Sequence, residues 1–282
     1  MKLAKQLFNF YLNSSIHVAL SVFSLTWITL IEHQVLFDKQ VLCFVFFASI
    51  VGYNFVKYFG LAKFHHWSLV FPKAIRKLKA IEILSFFCFI LMCYYAFQLE
   101  ENTLICIAVF GGITFLYAIP FLPRHLFLDK HQNLRSIGGL KIYLIALVWA
   151  GVTVFLPLVN QHFTIDINVV LTGIQRYMFI IVLMLPFEIR DLQYDSLKLS
   201  TIPQKIGVKQ TKAIGVLLLF AFFFIEFFKD EIASVHTIIL LVITIITSVF
   251  LVCSKVEQKP YYSAFWVEAV PILWLVLMLL NT

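Results

Sequence analysis

The sequence predicts an all-α, polytopic membrane protein, a bundle of nine transmembrane helices forming one domain over residues 1–282. Three observations predict it. Of the 282 residues, 61% are hydrophobic and only 13% charged, about half the ~25% usual in soluble domains, and the mean hydropathy is +0.93. This excludes an ordinary soluble globule, and the 31 phenylalanines exclude a disordered chain, which lacks apolar surface. Next, apolar windows of about 20 residues, long enough to cross ~30 Å of hydrocarbon as helix, fall at 14–33, 40–60, 80–99, 103–122, 137–158, 168–187, 211–228, 233–253 and 262–281. Finally, the links between them alternate: those after the first, third, fifth and seventh windows are short, and those after the second, fourth and sixth are longer and basic.

That alternation gives the net charge of +7 a topological meaning rather than a nucleic-acid partner. All of the 22 Lys and Arg except Lys39, Arg176 and Lys229 fall on one side, while Asp38, Glu100, Glu101, Asp166, Asp230 and Glu231 mark the other. The positive-inside rule then expects a multi-pass protein of a bacterial plasma membrane, with its N-terminus and basic links in the cytoplasm.

Taken in order, the first window follows Lys2 and Lys5 without a small-residue cleavage site, so a retained first helix is expected. Its Asn13 and His17, a turn apart, suit interhelical hydrogen bonds or the lining of an acceptor pocket. The second window ends in Tyr53-Asn54-Phe55-Val56-Lys57 and runs into Lys63, His65 and His66. Adjacent histidines point to different sides of a helix, so a basic interfacial loop anchored by Trp67 and Phe71 is expected there rather than a metal site. With only 10 Gly and 8 Pro in the chain, few broken helices are expected. Cys43, Cys88, Cys93, Cys106 and Cys253 lack CxxC spacing and read as small core hydrophobes. Glu268 lies inside the last window, where a bare charge in lipid costs a few kcal/mol or more, so it must face protein, water or a partner.

The richest constellation is Glu188-Ile-Arg190-Asp191-Leu-Gln-Tyr-Asp195-Ser-Leu-Lys198 at the end of the sixth window. If the helix continues, spacings of three and four place Glu188, Asp191, Asp195 and Lys198 on one face. Stacked carboxylates can hold Mg²⁺, and Arg190, Lys198, Lys205 and Lys209 can neutralise a diphosphate. The same spacing also fits a solvated helix end with ordinary ion pairs.

Here the sequence resembles the UbiA superfamily of intramembrane prenyltransferases. Members carry acidic motifs at the cytoplasmic ends of the second and sixth of nine helices. Asp191 and Asp195 match the second motif, and Lys198, Thr201, Pro203 and Gly207 resemble its continuation, with the Thr-Pro-Gly pattern a single residue closer than usual. Leu116-Tyr117-Ala118-Ile119-Pro120 is similar to the family's tyrosine-proline end of the fourth helix, and Leu134 to Ile142 to the basic start of the fifth. The first motif departs: Asn54 matches its asparagine, but Phe55, Tyr58 and Ala62 stand where its carboxylates belong.

The resemblance implies a bundle around a central chamber open to the cytoplasmic side, and transfer of an isoprenoid chain from a prenyl diphosphate to a lipophilic acceptor with Mg²⁺. It assigns Asp191 and Asp195, with Glu188, to the metal. Arg190, Lys198, Lys141, Arg135, Lys63 and Asn54 go to the substrate. Lys57 stands in for some of the missing clamp as a point charge. A membrane terpene cyclase, and a non-catalytic isoprenoid- or lipid-binding protein, stay open beside the transferase.

Overall fold

The structure is a computed structural model, and it describes residues 2–58, 72–118, 139–193, 201–230, 233–259 and 261–281. Among the described residues all regular structure is helical. The chain runs through α1 (Lys2–Asn13), α2 (Ile16–Glu32), α3 (Lys39–Tyr58), α4 (Pro72–Ala96), α5 (Glu101–Ala118) and α6 (Lys141–Ala150). A π-helical turn at Gly151–Phe155 carries α6 into α7 (Leu156–Asn160), so that Lys141–Asn160 forms one span. Then follow α8 (Ile167–Asp191), α9 (Ile202–Phe224), α10 (Ser234–Cys253), a second π-helical turn at Tyr262–Val267, and α11 (Val270–Leu279).

Each predicted window coincides with a helix. Seven helical stretches are long and apolar enough to cross a membrane, the bent pair of α1 and α2 supplies an eighth, and Glu101–Leu116 is a shorter apolar helix in the place of the fourth window. Phe86, Phe97, Leu217 and Ile238 are exposed on the outer faces, as lipid-facing side chains are. Packed interiors hold the bundle together: α3 lies between α2 and α4, α8 against α6 and α9, and α11 against α2 and α10.

The helices are broken more often than Gly and Pro content suggests. α1 and α2 meet at 54°. The joint is Ser14-Ser15, both fully buried, with Ser15 in the left-handed region at φ 63°. Two π-helical turns and Pro186 inside α8 add further irregularity. In each case side chains take up backbone groups that a regular helix would pair internally.

One charge sits elsewhere than expected. Arg176, counted with the less basic links, is buried in the interior of α8, where Nη2 donates to Thr29 Oγ1 (3.2 Å) and pairs with Glu32 Oε2 (3.5 Å), and the guanidinium lies 5.0 Å from the Trp274 ring. Nearby, Gln175 Nε2 donates to Glu226 Oε2 (3.0 Å), which is paired with Lys229 (2.7 Å). Buried charge in an apolar bundle persists only when paired, and these are. Of the cysteines, Cys88 is buried and Cys253 is exposed at the end of α10, so the core reading fails for Cys253.

Candidate functional site

Six helical segments converge on a cavity of about 500 Å³, α2 through Val18. On α8, Ile180, Leu183, Met184, Phe187 and Arg190 recur every three or four residues and so form one stripe facing it. α3 contributes Tyr53 and Lys57, α1 contributes Asn9 and Asn13, α6 contributes Trp149, and the last span contributes Tyr261, Ala264 and Glu268. Aromatic and aliphatic walls thus surround two cations and one carboxylate.

Each polar group is positioned by a neighbour. Lys57 Nζ donates to Ser15 Oγ (2.9 Å), which itself donates to Asn54 Oδ1 (2.8 Å). The Asn54 amide donates to Ser14 O (3.1 Å) and Ser85 Oγ (2.9 Å). Asn54 is therefore buried among α2, α3 and α4, and it orients Lys57 through Ser15 instead of facing the cavity. Trp149 Nε1 donates to Tyr53 OH (2.7 Å), and Tyr261 OH donates to Asn9 Oδ1 (2.7 Å), tying the first helix to the last.

Arg190 sits over Phe187 with its Cζ 5.3 Å from the ring, and reaches Ser263 Oγ (3.4 Å). Its Nε and Nη2 hold Asp191 Oδ1 at 2.8 and 2.7 Å, and Lys141 Nζ lies 4.0 Å from Asp191 Oδ2. Asp191 is one residue off the cavity stripe, and Glu188 is buried on a different side of α8. The ion pairs at this helix end thus exist as the plainer reading of the spacing anticipates, and they also deliver an arginine to the cavity.

Glu268 faces the cavity because the backbone before it is π-helical. Its N–H donates to Ser263 O (3.2 Å), five residues back, and Pro271 withholds one N–H from the following turn. Ser21 Oγ donates to the Glu268 carbonyl, and His17 Nε2 donates to Phe265 O (2.9 Å). A carbonyl only accepts, so the His17 proton is on Nε2, and Nδ1 accepts from Tyr11 OH (2.6 Å). Of the two polar residues flagged around the start of the first window, His17 on α2 is the interhelical hydrogen-bonding group and Asn13 on α1 lines the cavity.

Asp195, Lys198, Lys63, Arg135, Ala62, His65 and His66 lie outside the described residues. Among the described residues no three His, Cys, Asp or Glu side chains come together as a metal site requires. Asp191, shared between two cations, does not by itself fit Mg²⁺. Beyond that segment, Gln204 Oε1 accepts the Thr201 N–H (3.0 Å) at the start of α9, Pro203 sits in its first turn, and Gly207 has φ 80°. The Thr-Pro-Gly pattern is thus the signature of a helix start and a kink, the last at a backbone angle that suits glycine.

No protein-family profile matches the chain, and no curated protein matches it in sequence. The fold is similar to a solved structure of a digeranylgeranylglyceryl phosphate synthase, a UbiA-type membrane prenyltransferase, with a TM-score of 0.56 and 15% sequence identity over 98% of this chain and 96% of that one. At that identity the likeness shows the fold: an all-α membrane bundle of UbiA type.

Proposed function

We propose that this chain is a membrane prenyltransferase that moves an isoprenoid chain from a prenyl diphosphate to a lipophilic acceptor. The observation that carries this is the meeting of Lys57 and Arg190, from two different helices, in one apolar cavity of a UbiA-type bundle. An isoprenoid diphosphate needs this pairing of features: cations for the head and hydrocarbon walls for the tail. Departure of pyrophosphate leaves an allylic cation, and Tyr53 and Trp149 present π faces that can stabilise it. The cations hold the leaving group where its charge grows. The positive-inside rule supports a cytoplasmic placement of this end of the bundle.

Mg²⁺, Asp195, Lys198, Lys63 and Arg135 belong to this proposal through the family resemblance. The departure at Phe55, Tyr58 and Ala62 favours one second reading, a non-catalytic isoprenoid-binding protein.

The test is pyrophosphate release by purified protein in detergent, offered C10 to C20 prenyl diphosphates and a membrane lipid extract as acceptor, with Mg²⁺ or with chelator. Release that Lys57→Ala cuts at least 100-fold supports the transferase. Loss of release in Asp191→Asn and Asp195→Asn only when Mg²⁺ is present assigns the metal to that motif. Binding of prenyl diphosphate without release supports the second reading.

A further inference from the structure

Among the described residues, Glu268 is the one charged cavity group that the donor-binding machinery does not use. Donor binding calls for cations, and Lys57 and Arg190 supply them. Their hydrogen bonds go to other groups: Lys57 donates to Ser15, and Arg190 to Asp191 and Ser263. Glu268 nevertheless lines the same cavity as both, so it shares the space where the diphosphate would sit. A carboxylate in that place weakens donor binding by its own charge. Its position is also held with care, through the π-helical turn and the bonds from Ser21 and His17 to the backbone of that segment.

Resting on the prenyltransferase reading, we infer that Glu268 is the base of the transfer step, and that the acceptor is a neutral molecule attacking through a hydroxyl. In that step the C1–O bond of the prenyl diphosphate breaks with its electron pair leaving on pyrophosphate. The acceptor oxygen forms the new C–O bond, and its proton passes to the Glu268 carboxylate. The charge count favours a neutral acceptor over an anionic one. Among the described residues that line the cavity, Lys57, Arg190 and Glu268 sum to one positive charge, so at this wall an anionic acceptor would meet the Glu268 carboxylate as well as the diphosphate. Asn9 and Asn13 on α1 add neutral hydrogen-bonding groups to the same polar wall.

The experiment uses full-length protein in nanodiscs, comparing wild type, Glu268→Gln and Glu268→Asp. Farnesyl thiodiphosphate binding reads the donor site. Transfer from farnesyl diphosphate is followed with monooleoylglycerol, a long-chain alkylphenol, the monophosphate esters of monooleoylglycerol and of an alkylcatechol, each of which keeps a free hydroxyl, and a total lipid extract. Expected for Glu268→Gln are donor-analogue affinity equal to or tighter than wild type and transfer to the aliphatic alcohol reduced at least 100-fold. Transfer to the phenol should fall less, because a phenol near pKa 10 gives up its proton more readily. Glu268→Asp should restore some of the rate, and the phosphate esters should be poor acceptors for wild type. Equal rates in wild type and Glu268→Gln overturn the base assignment alone, as does joint loss of donor binding and transfer, which marks a structural role. Preference for the phosphate esters overturns the neutral acceptor. A wild type that binds the analogue but transfers to nothing, lipid extract included, overturns the prenyltransferase reading and this inference with it.

Discussion

At the scale of single residues, Ser15 does the most with the least. Its backbone is held at φ 63°, an angle that costs an ordinary residue roughly 1–2 kcal/mol, while its hydroxyl accepts from Lys57 and donates to Asn54. Ser15→Ala keeps the strain and loses a bond to a charged group, so a destabilisation of about 1.5–3 kcal/mol is expected in thermal melts in detergent. Ser15→Gly loses the same hydroxyl but relaxes the backbone, and should melt above Ser15→Ala. Equal melting temperatures would show that the angle carries no strain. Sequence patterns reveal some of this layer. Lys57 and Glu268 stand out because charges are rare in apolar spans, and both do face the cavity. Asn54 matches a motif, yet its side chain turns to helix packing. Side-chain orientation follows from which neighbours offer hydrogen bonds, and spacing along one helix carries no record of them.

At the scale of elements, hydropathy finds the helices and misses their irregularities. Every apolar window became a helix, because chain length and transfer energy alone decide that. The 54° joint after α1 and the two π-helical turns depend on hydrogen-bond register, to which composition is blind. α1 itself lies outside the windows, since its polar Asn9 and Asn13 dilute the apolar signal while serving the cavity. Gly151 opens the first π-helical turn, and a methyl group there would run into the Phe110 ring. Gly151→Ala should displace that ring and lower the melting temperature, and Gly151→Ala combined with Phe110→Leu should recover some of the loss. A Gly52→Ala control, where the added methyl meets nothing within 4 Å, should be neutral.

At the scale of the whole molecule, α8 carries two separate polar clusters. Arg190 and Arg176, both on α8, are separated by roughly 21 Å along a straight helix. The former serves the cavity and the latter pins α8 to α2 and α11 through Glu32, Thr29 and Trp274. Glu32→Gln leaves Arg176 uncompensated and is expected to destabilise the protein by about 3–5 kcal/mol, without change in prenyl-analogue affinity per folded molecule. Arg176→Met with Glu32→Gln should be milder than Glu32→Gln alone, because it removes both charges. A milder single than double variant would refute the pairing.

The hydrogen bond from Tyr261 to Asn9 joins the start of the chain to its last span. It follows that the cavity wall is finished only when the segment from Tyr261 to Glu268 arrives during synthesis. A nascent chain halted before Tyr261 has most of its helices to insert but an open seam beside Lys57, so it should enter the membrane yet fail to retain a prenyl-diphosphate analogue. Until that segment docks against α1, the cavity stays open along this seam.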